Sequence, residues 1–249
     1  MLKEKLKKGS FVLGTWCDLP SSAVVNVLAK AKLDFVIIDM EHGPMDYKLA
    51  QDMVMAAECE GTEAIIRVPS LDESAVLRAL DTGAAGIIVP HIESVDDREK
   101  AVAYSKFLPK GNRGFNPYVR CGGYSKATPQ YFNDQNDKTI LGLILEGAAA
   151  LKNLDLIIDS PDVDLVYIGV YDLSLSLGFP GEVNNPIVLK ELEEAVRKII
   201  KAKKSAGCMI HNAADLKKFK EMGVQFMAYK VESAIIYDAI SQIKGEFDK

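Results

Sequence analysis

At 249 residues, 48% apolar and 26% charged, the chain has the length and composition of a folded globule with a full hydrophobic core, which excludes disordered and fibrous classes. Its net charge of −5, of mixed sign along the chain, gives no broad basic surface for nucleic acid, and no apolar run approaches the roughly 20 residues needed to span a bilayer. Cys17, Cys59, Cys121 and Cys208 lie far apart with no CxxC pair, so neither a zinc cluster nor a disulfide framework is expected.

The opening run Met1 to Lys8 is basic, but no apolar h-region or small-residue cleavage site follows it. No signal peptide is expected, and the cytoplasm is the expected location. This run and Lys198 to Lys204 alternate with apolar residues at helical spacing and read as solvated helix faces.

Phe11 to Trp16 reads as a first strand, and Ser21-Ser22 caps a helix to about Ala31 whose stripe is Val24, Val27, Leu28 and Ala31. Residues 34 to 39 form a second strand whose β-branched run Val36-Ile37-Ile38 suits burial on both faces, followed by a helix from Tyr47 to Cys59. Ala64 to Pro69 and a helix from about Asp72 to Leu80 make the third unit; Ala85 to Pro90 and a helix from Ser94 or Val95 to Phe107 make the fourth. Pro109 to Pro129 breaks the beat with a long loop, closed by a short helix near Gln130 to Asn136.

Ile140 to Glu146 then gives strand five with a helix from Ala148 to Asp159, and Asp164 to Gly169 gives strand six. A helical turn at Tyr171 to Ser174, a Gly- and Pro-rich loop and a long amphipathic helix to about Ser205 follow. Cys208 to Ile210 is strand seven, Asp215 to Met222 its helix, Gln225 to Tyr229 strand eight, and Ser233 to Ile243 the last helix. Eight strand-helix units favour an α/β protein of the closed (β/α)8 TIM-barrel type, one domain over residues 1–249 with a loop insertion at about 109–137. No GxGxxG follows the first strand, which weakens a dinucleotide-binding alternative.

In such a barrel the chemistry sits where strands end. The polar residues there are Trp16 and Asp18 after strand one; Asp39, Glu41 and His42 after two; Arg67 after three; and His91 and Glu93 after four. Glu146 follows strand five, Asp172 six, His211 and Asn212 seven, and Lys230 eight. Glu146 and Asp172 end neighbouring strands, roughly 5 Å apart by strand spacing, a pair able to share one hard divalent cation such as Mg²⁺ or Mn²⁺. Each could equally cap the helix that follows it. Arg67 interrupts an apolar strand and must meet an anion, either an internal acid such as Glu41 or a substrate oxyanion. His42 could act as a general acid or base with Asp39 or Asp81 orienting its ring, or simply pack a turn. Lys110 to Gly114 could hold a phosphate or be a plain turn.

Taken together, Asp39-x-Glu41-His42-Gly43, Arg67-Val68-Pro69, Pro109-x-Gly111-x-Arg113-Gly114, Ile144-Leu145-Glu146 and Gly169-x-x-Asp172-Leu173-Ser174 resemble the HpcH/HpaI family of class II metal-dependent hydroxy-oxo-acid aldolases, as a divergent member. The resemblance implies a pyruvate-type barrel whose last helix is exchanged between subunits, in a homo-oligomer such as a hexamer or trimer of dimers. It implies that Glu146 and Asp172 hold Mg²⁺, Mn²⁺ or Co²⁺. Arg67 and the metal would stabilise an enolate as a 4-hydroxy-2-oxo acid is cleaved to pyruvate, or a related 2-oxo acid, and an aldehyde. His42 would move protons at the aldehyde end, oriented by Asp39 or Asp81. Gly169, Val170 and Tyr171 would receive the 2-oxo acid carboxylate, with Trp16 also against substrate. The chain departs from the family where Ile144 and Gly147 flank Leu145-Glu146 in place of Gln and Ser or Thr, and where Val170-Tyr171 replaces Pro-Ala. Tyr171 is expected to crowd the carboxylate pocket or to supply a new hydroxyl. Two other readings are a citrate-lyase-like cleavage of a CoA ester or a decarboxylation, and a catalytically silent ligand-binding barrel.

Overall fold

The computed structural model describes all 249 residues. After a short helix α1 (Leu2–Lys7), the chain runs β1 (Val12–Cys17), α2 (Ser22–Lys30), β2 (Phe35–Asp39), α3 (Tyr47–Glu58), β3 (Glu63–Arg67), α4 (Glu73–Asp81), β4 (Gly86–Val89) and α5 (Val95–Ser105). A one-turn 3-10 helix (Arg120–Gly122) interrupts the long loop before α6 (Tyr131–Lys138) and β5 (Ile140–Leu145). There follow α7 (Ala148–Lys152), α8 (Leu154–Ile157), β6 (Leu165–Ile168), α9 (Val170–Ser176), α10 (Pro186–Lys201), β7 (Ser205–Ile210), α11 (Ala213–Met222), β8 (Phe226–Val231) and α12 (Glu232–Phe247). The eight strands pair in chain order, all parallel, and β8 closes on β1 to form a (β/α)8 TIM barrel.

The period of two along each strand sorts side chains into two cores. Phe35 and Ile37 of β2 enter the barrel interior with Ile65, Ile88, Ile140, Leu165 and Phe226, whereas Val36 and Ile38 face outward into the layer beneath the helices. The Phe35 and Phe226 rings stack with centroids 3.7 Å apart in the interior. Side chains of Ser21, Asp46, Asp72, Ser94 and Asn212 cap the helices that follow β1, β2, β3, β4 and β7, so these five strand ends hand over to a helix through a polar turn.

Two expectations need correction, and one pair of alternatives is decided for the plain turn. The helix expected over Ala148 to Asp159 is broken at Asn153 into α7 and α8. The amino-terminal run is not a uniformly solvated face: Leu2 and Leu6 close the barrel floor, and Lys3 is buried, donating to the Thr139 carbonyl at 2.9 Å and to Asp164 Oδ2 at 2.8 Å. Lys110 to Gly114 is a tight turn against α5, with Arg113 turned inward to Asp81 rather than out to an anion. No helix is long and apolar enough to cross a membrane.

Candidate active site

The carboxyl ends of the strands open into a cavity of about 680 Å³. Trp16, Asp39, His42, Arg67, Glu146, Gly169, Val170, Tyr171 and Asp172 all line it, so residues from the ends of four strands, β1, β2, β3 and β5, and the turn after β6 meet there.

Arg67 is its fixed cation. The parallel register places Asp39 directly opposite Arg67, and the guanidinium forks onto the carboxylate, Nε to Oδ1 at 2.8 Å and Nη2 to Oδ2. Nη1 forms an ion pair with Glu41 Oε2 at 2.9 Å, off the line of a hydrogen bond. The Trp16 ring lies under the guanidinium at 4.6 Å, and its Nε1 donates to Tyr167 Oη at 2.9 Å, which fixes that platform. Burial opposes ionisation of Asp39, but the hydrogen bonds and charge of Arg67, with the amides of His42 and Glu41, outweigh it and hold the carboxyl below its usual range.

Glu146 follows β5 and faces the turn after β6, where Gly169 is needed: a Cβ there would lie 2.9 Å from Glu146 Cβ and 3.1 Å from Oε2. Asp172 stands in the first turn of α9. Burial raises the proton affinity of Glu146, and the charges of Asp172 and Glu41 raise it further against the lowering by His91. The charge of Asp172 is thus felt at Glu146, as one hard-cation ligand's charge is felt by another when it is uncompensated. They are a pair and not a group of three or more acidic, His or Cys ligands. Two carboxylates suit Mg²⁺, Mn²⁺ or Co²⁺, ions that complete their shells with water and substrate oxygens.

His91 is the residue whose part was not foreseen from the chain alone. Its backbone is left-handed (φ +56°), an uncommon state for a residue with a side chain. Its Nδ1 lies 2.7 Å from Glu146 Oε1 and its Nε2 2.8 Å from Glu41 Oε1, so one imidazole ties the Arg67 cluster to the carboxylate pair. Its position just past β4 was the only available signal.

Asp81 does not join the site of its own chain. It ends α4, on the side of the barrel where strands begin, and its Oδ1 accepts from Arg113 Nη2 at 3.1 Å and from Cys121 Sγ at 3.3 Å. Asp39 does not orient the His42 ring either; its Oδ1 accepts from the His42 backbone N–H at 3.2 Å, and its oxygens are taken by Arg67. The imidazole stands exposed at the cavity edge. Tyr171 is half exposed and sets its ring edge-on to His211, centroids 5.9 Å apart, so it forms part of the rim rather than filling the pocket. Asp18, Asp215, Lys230 and Asp238 also line the cavity.

Known proteins share this fold. A family model described as HpcH/HpaI aldolase/citrate lyase matches residues 13–239. A 4-hydroxy-2-oxo-heptane-1,7-dioate aldolase of Salmonella dublin is 29% identical over 245 residues, covering 98% of this chain and 93% of that protein. The crystal structure of an HpcH/HpaI aldolase/citrate lyase family protein from Burkholderia cenocepacia J2315 superposes with a TM-score of 0.94 at 27% identity, covering 100% of this chain and 99% of that one. Citrate synthase SbnG superposes at 0.89 with 25% identity, over 100% of this chain and 99% of its own. With one family model running from β1 into α12 across most of its length, the chain belongs to the HpcH/HpaI aldolase/citrate lyase family.

Proposed function

We propose that the protein is a divalent-metal-dependent aldolase that cleaves a 4-hydroxy-2-oxo acid to pyruvate, or a related 2-oxo acid, and an aldehyde. The observation that carries this is the pairing of Glu146 and Asp172 on one cavity wall with a rigidly held Arg67 on another. Membership in a family of aldolases and lyases that are generally divalent-metal dependent supports an enzyme of the lyase kind.

Glu146 and Asp172 would hold the cation, which when bound supplies Lewis-acid stabilisation of negative charge developing on the 2-oxo fragment. Arg67 adds a second positive charge whose position is set before substrate arrives, so no reorganisation is needed during reaction. The first amide groups of α9, at Val170 and Tyr171, lack intrahelical acceptors and would take the acid's carboxylate. Ile144, Val170 and Met209 keep the surrounding wall apolar, which strengthens these charge interactions. As the C3–C4 bond breaks, its electron pair passes into the 2-oxo fragment, the C4 hydroxyl proton leaves as the aldehyde forms, and a proton taken up at C3 completes pyruvate or the related 2-oxo acid. His42, at the cavity edge, is the group we assign to carry the hydroxyl proton.

The protein is proposed to work as a homo-oligomer, a hexamer or trimer of dimers, in which α12 packs on another copy. Ile236, Tyr237, Ile240, Ile243 and Phe247 leave an exposed apolar face on that helix.

A coupled assay of pyruvate release across several 4-hydroxy-2-oxo acids, with metal added or chelated, tests the reading. Release should need metal and should fall by about a hundredfold or more in Glu146→Gln. Decarboxylation of a 2-oxo diacid with no aldehyde formed would reassign the site to a related lyase reaction. Metal-independent turnover, or full activity in the variant, would refute the proposal.

A further inference from the structure

Beyond Glu146 and Asp172, the charges of the cavity do not balance. Its two fixed cations are engaged by carboxylates of the chain itself: Arg67 by Asp39 and Glu41, and Lys230 by Asp238 at 2.5 Å. Two lining carboxylates, Asp18 and Asp215, have no cation of their own. Asp215 Oδ2 accepts from the His211 backbone N–H at 2.9 Å. Asp18 has no such relief. Its Oδ1 is buried without a partner, and its carboxyl reaches the already occupied carboxylate of Asp39. Behind it stands Glu232, only 1% exposed, with Oε1 accepting from the Leu19 N–H at 2.6 Å and Oε2 unpartnered.

Resting on the aldolase reading, we propose that Asp18 is a specificity-determining residue that repels anionic aldehydes, so the 4-hydroxy-2-oxo acids this site cleaves carry an uncharged, alkyl or hydroxylated aldehyde half. The cavity holds no unengaged cation to receive a second carboxylate, while Ile144, Val170, Val183, Met209, Phe219 and Ala234 supply apolar wall. The relative named for a heptane-1,7-dioate substrate acts, by that name, on a compound with a second carboxylate. The two enzymes would therefore part at the aldehyde end and share the 2-oxo acid end.

The proposal has a pH signature. Four elements surround Asp18: β1 with the neighbouring Cys17 thiol, β2 with Asp39, β3 with Arg67 and α12 with Glu232. Burial, then the charges of Asp39 and Glu232 and the contact with Asp39, push its carboxyl up to about 6 against the lowering by Arg67. Above that value Asp18 is an anion and repels; below it the proton returns and the repulsion goes. Taking the ratio of two substrates at each pH cancels the titration of protein groups that serve both alike.

The test compares kcat/KM for 4-hydroxy-2-oxoheptanoate and 4-hydroxy-2-oxoheptanedioate with the metal-loaded full chain, wild type and Asp18→Asn, at pH values about two units apart that straddle the Asp18 transition near 6. Wild type should favour the monoacid by about tenfold or more at the alkaline point and by about threefold or less at the acidic one. In Asp18→Asn the ratio should be small and nearly flat with pH. A wild-type preference for the diacid, or a ratio that Asp18→Asn leaves unchanged, overturns the specificity while the aldolase reading stands. Turnover of neither compound by wild type overturns both together. The distal carboxylate of the diacid also takes up some proton at the acidic point, in wild type and variant alike, so the signature is the difference between the wild-type and Asp18→Asn pH series, with Asp18→Ser as a second variant should Asp18→Asn fail to fold.

Discussion

At the floor of the barrel, Lys3 and Lys106 are buried cations whose ammonium groups are satisfied: both donate to the Thr139 carbonyl, Lys3 also to Asp164 and Lys106 also to the Asn136 carbonyl. Asp164 Oδ2 in turn accepts from the Leu141 N–H at 3.0 Å. At the mouth the buried groups are mostly anions and the accounts stay open. Asp18, Glu41 and Glu232 each keep a buried oxygen without a hydrogen bond, and Glu146 and Asp18 hold protons more tightly than ordinary carboxylates. The same fold thus spends buried charge at one end on closure and leaves it unbalanced at the other. An enzyme site uses that imbalance, because carboxylate oxygens left without a partner remain open to a cation or a substrate.

If that contrast is right, substitutions at the two ends should differ in kind. The largest effect is expected for Arg67→Met, which strands Asp39 and Glu41 without their cation. It should cost about 3–5 kcal/mol of stability in urea unfolding and remove pyruvate release in the same step. Lys3→Met comes next: losing one donor to Thr139 and Asp164 should cost about 1–3 kcal/mol, with kcat and KM unchanged because the floor takes no part in the chemistry. A change in kcat for that variant would break the division between the ends.

The smallest effect has the opposite sign. Asp18 has its folded-state carboxyl raised from 3.8 to about 6, so the folded chain binds that proton more tightly than the unfolded one. The associated stability is present below the unfolded value and is lost as pH rises through about 6. Asp18→Asn should therefore be more stable than wild type above that value, by about 1 kcal/mol once solvent screening of this half-buried group is allowed for. The difference should close toward the unfolded value in urea melts across the pH range.

The barrel was legible because its signal repeats. Runs such as Val36-Ile37-Ile38, ended by a charged residue and followed by a capped amphipathic helix, state the strand, its double-sided burial and its direction at once. Arg67 was legible for a related reason: a guanidinium in an apolar strand demands a partner, and Glu41 and Asp39 supply it. The partners missed are those that depend on meeting across the barrel. Nothing local marks His91 as a bridge between Glu41 and Glu146, or Asp18 as facing Asp39 and Glu232. Asp81 could have been placed from the chain alone: a helix that follows a strand runs back from the mouth, so a residue closing α4 lies where strands begin, and there it meets Arg113. Lys3 looked like a solvated lysine because its partners, Thr139 and Asp164, are far away in sequence.

The central claim, that Glu146 and Asp172 form a divalent-cation site, is tested most directly by titrating the purified protein with Mn²⁺ and following the free ion by electron paramagnetic resonance. The account predicts one bound ion per chain, displaced by Mg²⁺, held more tightly when pyruvate is added, and lost in both Glu146→Gln and Asp172→Asn although each variant remains folded. Binding that survives in both variants, or no binding by the wild type, would contradict it.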